Sequence, residues 1–222
     1  TVTVNSAGNI NGAGLVTAAT IDLNAAAGIG NTTALNLSGS GITAHTTNGN
    51  IDLNNAIAAT YATVTTGAGT IVVDNTGAAV LTTVTTTDGL IDLEAISGNL
   101  TVGTAVTAGG AGRNVTLNTT TTGNVILTGT TTAAGDTVTV NSAGNINGAG
   151  LVTAATIDLN AVTGIGTTVV VQTVASTLSF TNTTNAVQVT NTLATGVSVN
   201  GTNAGAGGVN LTETAGNLTI GS

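Results

Sequence analysis

The sequence predicts an all-β chain wound as a parallel β-solenoid. Three observations point there. Apolar–polar–apolar triplets recur along the chain, a Gly-Asn-aliphatic signature is interleaved with them, and the composition suits a thin, regular core. At about 20 residues per coil, the 222 residues make roughly 11 coils.

The triplets are Val2–Val4, Ile21–Leu23, Leu35–Leu37, Ile51–Leu53, Ile71–Val73, Ile91–Leu93, Val115–Leu117, Val138–Val140 and Ile157–Leu159. Ile51, Ile71 and Ile91 are evenly spaced, whereas the step from Ile21 to Leu35 is shorter and that from Ile91 to Val115 longer. Alternation with a period of two places one face of a strand in a core and the other in solvent. The β-branched Val, Ile and Thr that fill these segments suit a pleated surface. A helix needs apolar positions at i, i+3, i+4 and i+7 over a dozen residues, and these segments are too short and too often broken by glycine for that.

The turns come next. Gly-Asn followed by an aliphatic residue occurs at Gly8-Asn9-Ile10, Gly49-Asn50-Ile51, Gly98-Asn99-Leu100, Gly123-Asn124-Val125, Gly144-Asn145-Ile146 and Gly216-Asn217-Leu218. Both residues of the dipeptide tolerate positive φ, so each pair is expected to make a sharp corner before a strand. Short strands in such repeating units need a partner one unit away, because one coil cannot bury its own apolar side.

The segment TVTVNSAGNINGAGLVTAATIDLNA at Thr1–Ala25 returns letter for letter at Thr137–Ala161. It reads as a building unit that stacks on its neighbours. The displacement from Thr1 to Thr137 is expected to be a whole number of coils, since a slip of a single position would turn each apolar face outward.

Composition excludes several classes of function. Only 5% of the residues are charged, against roughly 25% in ordinary globular proteins. Nine carboxylates face a single Arg, and the formal net charge is −8. A chain so poor in cations cannot neutralise phosphates, so nucleic acid and anionic membrane surfaces are not expected partners. No run of about 18 apolar residues suggests membrane insertion. Cys, Met, Trp, Pro and Lys are absent. No secretory leader is read in the sequence, and its ends lie in repeat-like sequence. It is expected to be a single solenoid segment over residues 1–222, cut or processed from a longer repeat protein.

In the Gly-Asn turns and the VTVN, IDLN and VTLN strands, the chain resembles the central repeats of filamentous-haemagglutinin-like adhesins. That resemblance runs through Leu159, loosens from Gly166 to Asn203 and returns at VNLTETAGNLTIGS. Such adhesins are exported by the two-partner (type V) route, and their repeats form right-handed parallel β-helices. The resemblance therefore implies a right-handed coil, a secreted chain on the bacterial cell surface and no catalytic motif.

Few residues suggest chemistry. The Asp of the IDLN strands recurs at Asp22, Asp52, Asp92 and Asp158. With Ile and Leu inward, these acids point outward and are candidates for a Ca²⁺-binding column; the plainer reading is a solvated acid that keeps the surface soluble. The Ca²⁺ motif G-G-x-G-x-D is absent, because Gly109-Gly110-Ala111-Gly112 is followed by Arg113. His45 is the sole His and has no nucleophile at a recognisable spacing, so no catalytic triad is read. β-Helical polysaccharide lyases need acids with Lys or Arg in one groove, and one Arg argues against them. Asn5, Asn24, Asn54, Asn118, Asn141 and Asn160, with the Gly-Asn asparagines, are expected to include inward-facing members that stack as amide ladders. The Thr-rich runs Thr82–Thr87 and Thr119–Thr122 raise an ice-binding face, but their irregular spacing suggests no lasting T-x-T column. Asn31, Asn114 and Asn210 begin sequons that composition alone can generate.

The expectation is a non-catalytic shaft of an extracellular adhesin or fibre, without a cofactor. The alternative is a self-assembling subunit of a filament, sheath or surface layer. Its partners would be other copies, through coil stacking or lateral contact, and glycans or proteins reached by other parts of a parent chain.

Overall fold

The computed structural model describes Thr1–Gly221. Among the described residues, twenty-five strands form one continuous sheet whose pairings are parallel. Strands of one stack lie about 21 residues apart, and the sheet winds through about 10 turns. The fold is thus the predicted β-solenoid, with no helix among the described residues. It has fewer coils than expected because the middle coils are long. Val106 pairs with Thr131 and Val115 with Val138, both wider steps than that from Ile51 to Ile71.

The wall has three faces. Face A carries the inward column Val4, Leu23, Ala44, Val64, Val84, Val106, Thr131 and Val152. Face B carries Leu53, Val73, Leu93, Leu117, Val140, Leu159 and Phe180. Face C carries Ala59, Ala79, Leu100, Val125, Ile146 and Ile165. Long strands such as Ala79–Asp88 pass from face C to face A through a register shift between Leu81 and Thr83. The extra residue lies on the partner strand Leu100–Ala108, where the step from Val102 to Ala105 faces that from Leu81 to Thr83, and it lets the wall bend round the corner. Branched aliphatics from all three faces fill the interior, and Ile51, Leu53, Ile71, Leu93, Leu117 and Leu159 are wholly buried. Each such side chain contributes about 1.5–3 kcal/mol relative to an exposed one.

Where face B turns into the next corner, the inward position often changes from aliphatic to polar. Asn55, Asn75, Thr119, Ser142 and Asn182 occupy one register column with Ala95 and Ala161 between them, and all of these are buried. The polar members satisfy backbone groups that the corner leaves without ladder partners. The Asn55 amide brackets Gly39: its Oδ1 accepts from Gly39 N at 3.0 Å, and its Nδ2 donates to Gly39 O at 3.1 Å.

The Gly-Asn signature splits into two groups. Gly49, Gly98 and Gly123 have φ of 103°, 104° and 116°, as a sharp corner requires. Gly8, Gly144 and Gly216 are not among the positive-φ residues, so there the dipeptide does not use the left-handed region.

The repeated block keeps its local structure in both places. Val2–Ser6 pairs with Ile21–Ala25, and Val138–Ser142 pairs with Ile157–Ala161. The equivalence continues beyond the identical letters. Asn191 brackets Ala175 with bonds of 2.9 and 3.1 Å, as Asn55 brackets Gly39, and Ser176 Oγ donates to Ala155 O as Ser40 Oγ does to Ala19 O. Each of these equivalent positions is displaced along the chain by the same amount as Thr137 from Thr1.

The copies nevertheless stand on different faces, contrary to the expected whole number of coils. The column of Val4 reaches Thr131 after six steps. Val140, the equivalent of Val4, lies further along the chain than Thr131, in the face B column. The block has moved round the wall by one face. This is possible because every face offers the same thing, a parallel ladder above inward aliphatics.

Candidate functional site

The outward residues of face B form a polar stripe along the axis. Asn36, Asn54, Asp74, Glu94, Asn118, Asn141, Asn160 and Thr181 follow one another in direct register. Asn54 Nδ2 donates to Asn36 Oδ1 at 3.5 Å, Asn141 to Asn118 at 2.7 Å and Asn160 to Asn141 at 3.0 Å. On face A, Asn24 donates to Asn5 at 3.2 Å. The expected ladders therefore exist, but Asn5, Asn24, Asn54, Asn118, Asn141 and Asn160 face outward in them. The inward ladders use other asparagines: Asn55 donates to Asn75 at 2.9 Å, and Asn182 to Asn203 at 2.8 Å. The Gly-Asn asparagines build a third row, with Asn124 N donating to Asn99 Oδ1 and Asn145 N to Asn124 Oδ1.

Two open clefts of about 550 Å³ and about 470 Å³ lie along the face B stripe. Asp74 lines the first and Glu94 the second, and these two acids are direct register neighbours. Asp52 and Asp92 flank them in the adjacent outward column. Burial raises the Asp74 carboxyl above its ordinary value, and repulsion from Glu94, Asp52 and Asp92 adds to this. Asp92 is raised by burial and then by Glu94, and Asp52 by burial. One Asp92 oxygen, Oδ1, is buried without a hydrogen-bond partner. The same field reaches inward, where burial and then Asp74 push the Tyr61 phenol well above its usual range.

The four candidate Ca²⁺ ligands do not come together. Asp22 stands on face A beside Thr3 and Thr43. Asp52, Asp92 and Asp158 share a face B column, but Val72 separates the first two, and Thr116 and Thr139 separate the next two. One intervening rung already puts carboxylates about 10 Å apart, beyond shared coordination. No group of three His, Cys, Asp or Glu suited to a metal ion occurs among the described residues. The triplet spacing that suggested one column mixes face A with face B.

His45 is exposed on face A and hydrogen-bonds Thr65 Oγ1 at 2.8 Å. Arg113 Nε contacts Asp88 Oδ1 at 2.7 Å, and both side chains are substantially exposed, so the pair contributes at most about 1 kcal/mol. Asp136 holds the adjacent glycine-rich loop by accepting from Gly112 N at 2.7 Å and Arg113 N at 3.0 Å. No sequence signal marks that clamp, because its partners are backbone groups a full coil away.

Face A holds a threonine column that the sequence spacing does not display, although the T-x-T pair is broken at Ala105 and at Leu151. Thr65, Thr85, Thr107, Thr132 and Thr153 stand in direct register on five successive rungs. A threonine column does persist. Its steps along the chain are unequal, that from Thr107 to Thr132 being the longest. A search at fixed period misses it, because corner loops absorb the difference.

Comparisons with family models, with curated proteins and with solved structures return no match for this chain.

Proposed function

We propose that this chain is a non-catalytic structural shaft of an extracellular adhesin or surface fibre on a bacterium. The carrying observation is the duplicated block, which keeps the same pairing on two different faces of the wall. A unit that fits wherever a parallel ladder is offered lets a rod lengthen by duplication, and reach is the property that duplication changes. The amide ladders along the outer wall add stiffness at the rungs they join. Binding in such a protein would lie in other modules of a parent chain, reached through the two-partner route that the repeat texture suggests.

A second reading, a self-assembling subunit, is favoured by one feature. The block pairs on both sides where it recurs, Val138–Ser142 with Val115–Thr119 and with Ile157–Ala161, so a coil of this sequence is chemically able to accept a neighbour on either side.

Electron microscopy of the purified chain at rising concentration, with and without Ca²⁺, separates the readings. Ten rungs at about 4.8 Å give separate rods of about 48 Å for a shaft. Filaments growing with concentration would select the assembly reading, and their loss in chelator would make the scattered acids part of the junction. Turnover of a polysaccharide by the chain would overturn both.

A further inference from the structure

We propose that face A is an ice-binding surface. On the rungs of Thr43, Thr63, Thr83, Ala105, Thr130 and Leu151, the outward residue two positions later is His45, Thr65, Thr85, Thr107, Thr132 or Thr153. Nine of these twelve positions are threonine, so most of the patch repeats one chemical motif. The pairings run without a register shift from Thr43 to Thr46 and from Thr83 to Thr86. The side chains beneath, Val64, Val84, Val106, Thr131 and Val152, are wholly buried and give the array a fixed backing.

The hydroxyls distinguish this face from face B. The outward amides of face B largely satisfy one another in ladders. On face A, the Thr65 hydroxyl meets His45 and that of Thr130 meets Thr104 O at 3.5 Å. The hydroxyls of Thr63, Thr83, Thr85, Thr107, Thr132 and Thr153 make no side-chain hydrogen bond among the described residues. They are free to bond water. Each stands beside a methyl group, around which first-shell water is orientationally restricted. Parallel pairing sets the hydroxyl rows about 4.8 Å apart, close to the short lattice repeat of hexagonal ice.

Charge and ring chemistry narrow the choice of ligand. No carboxylate occupies any of the twelve positions: Asp52, Asp74, Asp92, Glu94 and Asp158 stand on face B, and Asp22 stands on face A one rung outside the array, beside Thr43. An ionic partner therefore finds no counter-charge in the array. A crystalline polysaccharide, the other periodic surface of similar scale, is ordinarily gripped by exposed aromatic rings, yet Tyr61 and Phe180 are buried. Ordered water needs only the hydroxyl and methyl lattice. This inference is independent of the shaft reading.

The test is ice-crystal shaping and thermal hysteresis of the whole chain, compared with Thr107→Lys and Thr107→Val on face A and Thr139→Lys on face B. The unaltered chain is expected to facet growing ice and to depress freezing below melting. Thr107→Lys should lose most of the hysteresis, Thr107→Val should lose less, and Thr139→Lys should keep it. Circular dichroism of each variant checks that the fold persists. Absence of shaping by the unaltered chain overturns the proposal, as does equal loss in Thr107→Lys and Thr139→Lys. Retention on cellulose or chitin without ice shaping also overturns it.

Discussion

At the scale of single residues, position within the strand decides what a polar side chain does. Asn75 is wholly buried; its Oδ1 accepts from Asn55 Nδ2 and from the Tyr61 hydroxyl at 3.0 Å, and its Nδ2 donates to Gly77 O at 2.7 Å. Asn75→Ala strands a buried phenol, an amide and a carbonyl, and is expected to cost about 3 kcal/mol in a urea titration. Asn141→Ala removes a ladder amide that water can replace, and should cost less than about 1 kcal/mol. Equal losses would mean that the inner ladder has no special role. Acid behaviour is set at this scale too. Asp52, Asp74 and Asp92 have folded pKa values above the unfolded value of 3.8. Between the two values the folded chain binds more protons, so stability falls as pH rises through the folded pKa. Glu213 opposes this weakly: burial pulls its pKa up, but bonds from Asn191 and from the amides of Ala215, Leu193 and Gly216 outweigh burial and lower it. With three groups against one, the melting temperature is expected to be higher near pH 4 than at pH 7. Asp74→Asn should raise the pH 7 value and flatten the profile; an unchanged profile would count against the acid cluster as its cause.

At the scale of elements, corners are less tolerant than strand surfaces. A Cβ on Gly49 would lie 1.5 Å from Ala27 O, while at Gly112, also at positive φ, nothing lies within 4 Å. Gly112→Ala meets only the conformational penalty, about 1 kcal/mol. Gly49→Ala must also push one coil off the next, and should cost about 3 kcal/mol or more. Chemical denaturation of the two variants separates backbone preference from close approach, and similar losses would remove close approach from the account. The same distinction explains what was legible in the sequence. Ile51, Ile71 and Ile91 announced a ladder because alternation records which side of a strand is buried. The face on which a strand lies left no such record, since all three faces take Val, Ile and Leu. The short step from Ile21 to Leu35 is therefore a move from face A to face B and not a short coil. Asn54 and Asn55 are adjacent and alike in letters, yet one joins the outer ladder and the other the inner. Parity told them apart only once the register was known. The threonine column stayed hidden for a related reason, because its period lies in space and its sequence spacing stretches with each corner loop.

At the scale of the whole molecule, the solenoid is held by contacts between neighbouring coils, so stability should depend on keeping columns aligned and only weakly on total length. Deleting Ile91–Asn114 tests this directly. The deletion removes one rung from each face: Leu93 from face B, Leu100 from face C and Val106 from face A. It joins Leu90 to Val115, so Ile71 meets Val115, Ala79 meets Val125 and Val84 meets Thr131. Every meeting pairs inward residues with inward residues. Asp92 and Glu94 leave together, which relieves the charge pressed against Asp74. Asp136 loses the loop it clamps, but on the surface. The shortened chain is expected to fold cooperatively into a rod shorter by about 4.8 Å. A single Ala inserted between Val115 and Thr116 is a far smaller change in length. It turns Leu117 outward and Asn118 inward, unless a bulge absorbs it at the cost of ladder bonds. Circular dichroism melts and small-angle scattering should rank the insertion as the more damaging of the two. If the deletion unfolds the chain while the insertion leaves it intact, stability does not reside in the column stacking of adjacent coils.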